Sequence, residues 1–480
     1  MSLADETQWM DATDQAALVA EGEVTPAELL DAALVRVERL DPEIGALTFR
    51  WFDEARAAAA APDLPAGPFR GVPFLLKDLH AHMEGRPLSN GNAALRAGAP
   101  ASPRSTTLVE RYVAAGLVIA GRTNSPELGS VPTTEPVAWG PTRNPWDPSR
   151  TPGGSSGGAA AAVASGMVPI AHASDGGGSI RIPASCCGLV GLKPTQGRIT
   201  VGPYRDESNL GVEHCVSRTV RDTAALLDAT HGPGVGDTVL APPPARPYRD
   251  EVGADPGRLR IGLLDHNPQG TTVVEDECAE AARAAGALLE SLGHHVEPAF
   301  PEALADPTVG SQFLALWATG MAMGLAGCAT LLGRPLTEDE VEPVNWVQAT
   351  YAEKLHATDL ASALAASAAF RRRAQQWWAD GWDLLLTPTL GEVPVPLGTM
   401  ANDPANPLHP LARAAAFVPF TPAWNMTGQP AISLPLHRTA EGVPVGVQLV
   451  AAYGREDLLL RVASQLEAAS PWAHLHPPIS

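Results

Sequence analysis

The sequence predicts an α/β fold, because apolar runs of strand length alternate with segments of helical periodicity along its 480 residues. The strand-like runs lie at 71–76, 118–120, 168–173, 258–264, 382–386, 431–435 and 446–451. The helix-like segments lie at 106–115, 159–165, 220–229, 274–292, 458–467 and through most of 311–380. This alternation is typical of helices packed on a β-sheet.

The N-terminal region is predicted to be helical. Residues 13–40 contain two helices, and residues 53–61 form an alanine-rich third. The second helix begins with Thr25 as its cap and Pro26 at the first helical position, and Glu28 lies three residues after the cap. This is the pattern of a capping box, so the start of this helix is well specified.

Two segments between these elements are expected to be irregular. Residues 121–124, Gly-Arg-Thr-Asn, are predicted to form a turn. Residues 132–152 are rich in Pro, Thr and Trp without a regular period, which predicts a long structured loop.

The composition disfavours several classes of function. The formal net charge is −20, so the phosphates of nucleic acids and of anionic membranes would be repelled. The N-terminus lacks the basic and apolar regions of a signal peptide, and no uninterrupted apolar stretch of about 18 residues could span a membrane. We therefore expect a cytoplasmic protein with neither a nucleic-acid nor a membrane partner.

The cysteines predict neither a disulfide framework nor a metal site. Their number, five, is odd, and none belongs to a CxxC pair. Cys186 and Cys187 are adjacent, and adjacent residues rarely ligate one zinc ion. A reducing compartment and a protein without bound metal are therefore expected.

Two glycine-flanked serines carry the chemical signal, GGSSGG around Ser155 and DGGGSIR around Ser179. Hydrolysis of an amide at a serine needs an activated hydroxyl, N–H donors directed at the developing oxyanion, and a backbone that can approach the carbonyl closely. The run Gly176–Ser179 offers the donors and the close approach. A flexible loop is the alternative interpretation of the glycines alone.

Lys77 is the candidate base. A lysine with its ordinary pKa of about 10.4 is charged at neutral pH, and burial is needed to lower that value. Lys77 follows the apolar run 72–76, which would bury it, and on a strand the neighbouring Asp78 would point to the opposite face. A surface lysine at the end of an apolar run is the alternative.

Together these segments resemble the amidase signature family. The resemblance rests on GGSSGGAAAAVASGMVPIAHASDGGGSIRIPASCCGLVGLKPTQGR at 153–198, GVPFLLKD at 71–78 and GRTNSPELG at 121–129. It extends to PAWNMTGQPAISLP at 422–435 and PVGVQLVA at 444–451. The motifs are long, ordered and correctly spaced, and they span nearly the whole chain.

The resemblance implies an amidase signature fold, with a mixed central β-sheet flanked by helices on both faces. It also implies a single amidase domain over residues 1–480. In that domain the N-terminal helices occupy 13–61, the signature core about 71–230, a variable and mostly helical substrate-side region about 300–420, and C-terminal core strands and a helix 421–470.

The resemblance further implies a Ser–Ser–Lys triad and an acyl-enzyme intermediate. Ser179 would attack the acyl carbon, and Ser155, which follows a cis peptide bond in the family, would relay protons between Ser179 and Lys77. The oxyanion hole would consist of the backbone N–H groups of Gly176, Gly177, Gly178 and Ser179. No metal or organic cofactor is required.

Three further residues are expected to support this site. Ser156 would form a hydrogen bond within the proton relay. Asp175 and Arg181 would be structural and would form an ion pair around the glycine-rich loop.

The substrate is narrowed by one departure from the family pattern. The family often has Thr or Ile where this chain has Gly176, and the variant DGGGSIRIPAS is similar to the subgroup of 6-aminohexanoate-cyclic-dimer hydrolases, which are nylon-oligomer amidases. This favours a stand-alone amidohydrolase, a hydrolase of carbon–nitrogen bonds other than peptide bonds. Its small-molecule substrate could be a linear or cyclic amide oligomer, an aryl amide or a carbamate.

The substrate pocket is less readable. Ser130 and Leu128 are predicted to flank its entrance, and Cys328 is a candidate contact to the acyl group, although we favour a buried structural thiol there. Four tryptophans either shape the pocket or pack in the core, namely Trp139, Trp317, Trp346 and Trp424. A homodimer is expected, because dimers are common for such folds.

Three other functions compete with this interpretation. A glutaminase component of a tRNA-dependent amidotransferase would need partner chains and would be selective for glutamine. An α/β-hydrolase esterase would use Ser155 as its nucleophile, but residues 143–152 contain three prolines where that fold needs a strand. A catalytically inactive binding protein is the third alternative, and the presence of all three triad residues disfavours it.

Overall fold

The computed structural model describes residues 2–205 and 210–480. In chain order, its helices are α1 (Leu3–Glu6), α2 (Ala12–Glu21), α3 (Pro26–Ile44), α4 (Phe52–Ala60), α5 (Ala93–Gly98), α6 (Thr107–Ala114), α7 (Gly157–Ala164), α8 (Arg181–Cys187), α9 (Val220–Thr230), α10 (Asp276–Ser291), α11 (Val309–Leu332), α12 (Pro343–Ala352), α13 (Ala357–Ala379), α14 (His409–Phe417), α15 (Ala423–Thr427) and α16 (Glu456–Ala469). Its strands are β1 (Leu47–Arg50), β2 (Pro73–Lys77), β3 (Val118–Thr123), β4 (Ile170–Asp175), β5 (Gly191–Lys193), β6 (Val212–Ser217), β7 (Arg260–Leu263), β8 (His295–Pro298), β9 (Leu384–Pro388), β10 (Ala431–Arg438) and β11 (Pro444–Ala451).

The largest sheet of the described residues is mixed, as the resemblance implies. Its strand order is β5-β10-β11-β9-β7-β8. The strands from β5 to β9 are antiparallel to their neighbours, whereas β9, β7 and β8 are parallel. In the centre of the sheet, Val450 of β11 pairs with Ala431 of β10 and Leu385 of β9. Every residue of β11 is buried, because α8, α10 and α16 pack against this strand.

Two smaller sheets carry the sequence motifs. One has the order β1-β3-β2, and the other pairs β4 with β6. Strands β2 and β4 contact each other, and the backbone N–H of Lys77 donates to Nδ1 of His172 over 3.2 Å. Strand β2 ends at Lys77 and β4 ends at Asp175. The candidate base and the glycine-rich loop therefore begin at two adjoining strand ends.

A continuous hydrophobic cluster joins residues from Ala12 near the N-terminus to Trp472 near the C-terminus. Helix α7 lies within it, and all eight of its residues are buried. Its glycines and alanines allow a close approach to β2, β3 and β4, since a Cβ at Gly158 would lie 2.4 Å from the backbone N of Asn124. This packing fixes the start of α7, which directly follows Ser155 and Ser156.

Most of the predicted elements are confirmed, and the capping box at Thr25 and Glu28 is present at the start of α3. The predicted turn at 121–124 is wrong, because β3 continues to Thr123. Thr123 pairs with Lys77 of β2 on one side and Leu47 of β1 on the other. A central position in the sheet thus keeps a turn-like sequence extended.

Helix α11 bears on the expectation that no segment of the chain spans a membrane. By length and composition this helix could cross a membrane, and only 17% of its most apolar 18-residue stretch is buried. Glycines and threonines interrupt its apolar residues, so the expectation that the chain has no uninterrupted apolar stretch of about 18 residues still holds. Phe313, Trp317 and Gly324 of this helix line the cavities described below. A role as the apolar wall of these cavities therefore accounts for both its composition and its low burial.

Candidate active site

Lys77 is fully buried at the end of β2. Its Nζ lies 2.6 Å from Oγ of Ser155 and 3.0 Å from Oγ of Ser174. Asp78 points elsewhere, because its carboxylate accepts the backbone N–H of Ser89 over 2.9 Å. The prediction that Lys77 and Asp78 occupy opposite faces is therefore confirmed.

The environment of Lys77 favours its neutral form. Burial lowers the pKa of Lys77 well below its usual 10.5, the carboxylate of Asp175 opposes this shift, and the charge of Arg205 adds to it. A lysine that has lost its proton presents a lone pair at Nζ. At 2.6 Å that lone pair can take a proton from the Ser155 hydroxyl, which is the arrangement of a general base and its partner.

Ser155 lies between a glycine turn and the start of α7, and the peptide bond from Gly154 to Ser155 is cis, as the resemblance implies. Ser156 has a different role from the one predicted. Its Oγ donates to the carbonyl oxygen of Ser174 over 3.2 Å and accepts the N–H of the same residue over 3.3 Å. Ser156 therefore holds the main chain of Ser174, whose hydroxyl contacts Lys77, rather than the relay atoms themselves.

Asp175 and Arg181 form the predicted ion pair, fully buried at the base of the glycine-rich loop. Nε and Nη2 of Arg181 each donate to one carboxylate oxygen of Asp175 over 2.9 Å. Burial alone would raise the pKa of Asp175, but the charge and hydrogen bonds of Arg181 lower it to about 2. The bidentate geometry fixes the orientation of the Asp175 carboxylate, which in turn accepts the N–H of Gly178 in the loop.

The N–H groups of the loop differ in their partners, which corrects the predicted oxyanion hole. The N–H of Gly178 donates to Oδ1 of Asp175 over 2.7 Å, so it is already engaged. Within the described residues, the N–H groups of Gly176, Gly177 and Ser179 have no hydrogen-bond partner. The predicted set of four donors is therefore reduced to three.

Gly178 is instead required by the shape of the loop. Its φ is +135°, a conformation that side chains with a Cβ rarely adopt. A Cβ there would lie 2.4 Å from Oγ1 of Thr421 and 2.6 Å from Cδ1 of Ile182. Sequence spacing cannot distinguish a glycine needed for its N–H from one needed for its conformation.

Two cavities meet at Ser179, which is 7% exposed. The smaller has a volume of about 300 Å³ and is also lined by Gly177. The larger has a volume of about 740 Å³ and is also lined by Ser155 and Gly176. A substrate carbonyl placed at Ser179 would therefore have space on both sides.

The predicted substrate-side residues separate into two groups. Ser130 lines the smaller cavity and Leu128 the larger, so both lie beside the site. Cys328 lines neither, because it is fully buried and accepts from the amide of Asn90 over 3.7 Å. Burial raises the pKa of this thiol to about 12. The structure thus places Cys328 behind the wall, as a structural thiol.

Four residues of the site were missed by the sequence interpretation. His172 and Ser174 alternate on β4, and both contact Lys77. Period-two spacing on a strand that leads to the loop could have identified them. Thr421 donates to the carbonyl oxygen of Gly177 over 2.7 Å, and Asn425 donates to Asp175. These two belong to the motif at 422–435 or adjoin it, but no spacing links them to a loop far away in sequence.

Comparisons with known proteins agree with this geometry. Residues 28–460 match the amidase family. The chain belongs to the amidase signature family. It is 43% identical over 482 residues to the 6-aminohexanoate-cyclic-dimer hydrolase of Pseudomonas sp. (strain NK87), a match that covers 98% of this chain and 97% of that protein. The enzyme of the same name from Paenarthrobacter ureafaciens matches with the same identity and coverage. The chain is therefore an amidase.

Solved structures of amidase signature enzymes share the fold. The structure of a 6-aminohexanoate cyclic dimer hydrolase has a TM-score of 0.94 at 42% identity, covering 98% of this chain and 99% of that one. A bacterial aryl acylamidase has a TM-score of 0.85 at 26% identity, with 98% of each chain covered. A chain of the glutamyl-tRNA(Gln) amidotransferase from Thermotoga maritima has a TM-score of 0.75 at 28% identity, covering 97% of this chain and 96% of that one.

The amidase signature fold overturns the α/β-hydrolase esterase alternative. Between β3 and α7, residues 124–156 contain one turn of 3-10 helix, Glu127–Gly129, and isolated bridges such as the one between Asn144 and Asp147, but no strand that leads to Ser155. The strand–turn–helix context that a nucleophile elbow requires is therefore missing at this serine.

Proposed function

We propose that this amidase cleaves carboxylic amides by acyl transfer, with Ser179 as nucleophile and with Ser155 and Lys77 as its proton relay. The observation that carries the proposal is the fully buried Lys77 amine, 2.6 Å from Oγ of Ser155. Because burial lowers its pKa, this amine can be neutral and can accept the proton of the serine hydroxyl that it contacts.

In the first half of the reaction, the proton of Ser179 passes to Ser155 as the proton of Ser155 passes to Nζ of Lys77. Oγ of Ser179 bonds to the carbonyl carbon, and the carbonyl oxygen becomes an oxyanion. The unpartnered N–H groups of Gly176, Gly177 and Ser179 are positioned to stabilise that charge. The carbon–nitrogen bond then breaks, and the relay returns its proton to the leaving amine.

In the second half, water replaces the amine. It gives a proton to the same relay and attacks the ester at Ser179. Collapse of the second oxyanion breaks the ester bond and returns the proton to Ser179. The relay thus ends in its starting state, with neutral Lys77, and needs no added cofactor.

The proposed substrates are short aliphatic amides, including linear and cyclic oligomers of 6-aminohexanoate. The support is the 43% identity, over 98% of this chain, to hydrolases named for the cyclic dimer. Aryl amides and carbamates belong to the same proposal, since an aryl acylamidase shares the fold at 26% identity. An apolar cavity beside Ser179, with Phe313 and Phe370 in its wall, suits either acyl group.

The test is labelling with a serine-reactive fluorophosphonate, followed by peptide mapping and by hydrolysis of the 6-aminohexanoate cyclic dimer. We expect the label on Ser179, and its loss together with turnover in Ser179→Ala. A label on Ser155 would reverse the assigned roles. Turnover of Ser179→Ala near the wild-type rate would overturn the mechanism.

A glutaminase is distinguished in the same experiment. Glutamine and the cyclic dimer are supplied separately to the purified chain without any partner. Hydrolysis of glutamine alone would favour the glutaminase of a tRNA-dependent amidotransferase over a stand-alone amidase.

A further inference from the structure

The two cavities at Ser179 have few lining residues in common. They share three lining residues, Gly129, Ser179 and Trp317. Ser179 is the nucleophile of the proposed function, and Gly129 has no side chain. The indole of Trp317 is therefore the only bulky side chain that the two cavities have in common among the residues described.

One edge of the Trp317 indole lies close to both Gly176 and Gly177. A Cβ at Gly176 would lie 3.1 Å from Cζ3 of this indole, and a Cβ at Gly177 would lie 3.9 Å from the same atom. Gly176 lines only the larger cavity and Gly177 only the smaller. The ring edge thus marks the boundary at the level of the proposed oxyanion donors.

The indole is held in this position by its own helix. Phe313 precedes Trp317 by one helical turn on α11, and the two rings stack with centroids 5.2 Å apart. Phe313 also limits the space at the next glycine, since a Cβ at Gly177 would lie 3.2 Å from its Cζ. Two aromatic rings therefore cover two consecutive glycines.

Neither Gly176 nor Gly177 has a positive φ, so backbone conformation does not require glycine at these positions. What restricts Gly176 is the indole of Trp317, because a Cβ there would crowd Cζ3 at 3.1 Å and the ring would have to move by a few tenths of an ångström. A larger side chain, such as the Thr or Ile that the family often has at this position, would need a larger movement of the ring.

The two cavities differ in the chemistry that they can serve. Ser155 lines the larger cavity only, and in the proposed mechanism it returns the proton to the leaving nitrogen. The amine part of a substrate must therefore extend into the larger cavity. The acyl chain then occupies the smaller cavity, which is lined by apolar residues such as Ile182 and Leu264. Its volume is near the lower end of the range of about 300–1,000 Å³ for ligand pockets.

We propose, on the basis of the proposed function, that Trp317 divides the substrate site into an acyl chamber and an amine chamber, and that Gly176 is required to seat it. The acyl chamber is the smaller cavity and the amine chamber is the larger. The substrate class that fits is an amide with a compact apolar acyl group and a larger amine part, extended across Ser179.

The test uses alkyl fluorophosphonates, because they report on Ser179 without any assumption about the natural amide. Oγ of Ser179 bonds to phosphorus, fluoride leaves, and the hydroxyl proton passes to the relay. Inactivation rates are measured with a short-chain and a long-chain reagent on wild type, Trp317→Ala and Phe313→Ala. We expect Trp317→Ala to raise the long-to-short rate ratio by about tenfold or more, since the chain can then pass into the amine chamber.

Phe313→Ala is the matched control, because it enlarges the acyl chamber without removing the shared ring. We expect its effect on the rate ratio to be clearly smaller than that of Trp317→Ala. A ratio that Trp317→Ala leaves unchanged, with Ser179 still labelled by the short reagent, would overturn the division alone. Failure of the short reagent to label wild type would overturn the proposed nucleophile and, with it, the division.

A second measurement tests whether Gly176 is required to leave room for Trp317. Gly176→Ala should slow inactivation by the short reagent by about tenfold in wild type and much less in the Trp317→Ala background, because the steric conflict is removed. Gly177→Ala is the control for Gly176→Ala. The slower inactivation that Gly177→Ala causes should be relieved more by Phe313→Ala than by Trp317→Ala. Equal losses for Gly176→Ala in both backgrounds would show that the glycine serves the loop itself and would overturn its assigned role.

Discussion

Nζ of Lys77 lies 2.6 Å from Oγ of Ser155, and within the described residues no carboxylate forms an ion pair with this lysine. The amine is fully buried, and its other side-chain contact is the hydroxyl of Ser174. The behaviour of this amine therefore depends on whether it carries a proton. The first two predictions follow from the protonation state of Lys77.

The rate of amide hydrolysis should rise with pH as Lys77 loses its proton. Since burial lowers the pKa of Lys77 well below 10.5, kcat/KM should reach its plateau well below that pH. The measurement is kcat/KM for one amide across the pH range, with Lys77→Ala expected to lose about 10²-fold or more. A rising limb centred on the ordinary lysine pKa would contradict the role of burial.

Stability should also depend on Lys77. Its folded-state pKa is depressed, so between that value and 10.5 the unfolded chain binds a proton that the folded chain does not. Stability therefore rises with pH through this window. Lys77→Met removes the titration, and its free energy of unfolding relative to wild type should fall as the pH rises. Urea denaturation at several pH values measures this, and a constant difference would contradict it.

Arg181→Met should destabilise the fold strongly. The carboxylate of Asp175 would stay buried without its cation, at a cost of about 3–5 kcal/mol in the free energy of unfolding. Urea denaturation measures the loss, and fluorophosphonate labelling of Ser179 reports on the loop. Arg56→Met is the control, because the exposed bridge from Arg56 to Asp31 should contribute about 1 kcal/mol or less. Similar losses in both variants would contradict the role of the buried pair.

Glu127 should make stability depend on pH in the opposite sense. Burial and the nearby Glu342 raise the pKa of Glu127 to about 7. The folded chain therefore holds a proton that the unfolded chain releases above its ordinary value of 4.5, and stability falls as the pH rises through this window. In Glu127→Gln this contribution is absent, so the change in Tm across the window should be smaller than in wild type. An unchanged slope would place the titration elsewhere.

The sequence predicted those parts of the site that are encoded locally. Lys77 at the end of an apolar run, Ser155 before an alanine-rich helix and Ser179 after three glycines are each contained in one short motif. The role of Gly178 could not be predicted in this way, because its N–H donates to a carboxylate whose orientation depends on Arg181. The position of Trp317 beside Gly176 could not be predicted either, since it depends on how α11 packs on a loop more than a hundred residues away.

Three expectations are not tested by the contacts described and stay predictions: the single domain over residues 1–480, the cytoplasmic location and the homodimer.

The sequence analysis did not identify Thr421 and Asn425. Both act through hydrogen bonds to a loop that is distant in sequence, and such pairings are set by the tertiary fold alone.

The hydrogen bonds that hold the loop of residues 176–179 have a consequence for the synthesis of the chain. Arg181 donates to Asn425 and Gln448 as well as to Asp175, and Asn425 in turn donates to Asp175. A nascent chain that has left the ribosome only as far as Ser179 holds all three residues of the proposed triad but lacks these hydrogen bonds. We therefore expect the ability to hydrolyse amides to arise late in translation, and a fragment that ends before residue 425 to be inert although it contains all three residues.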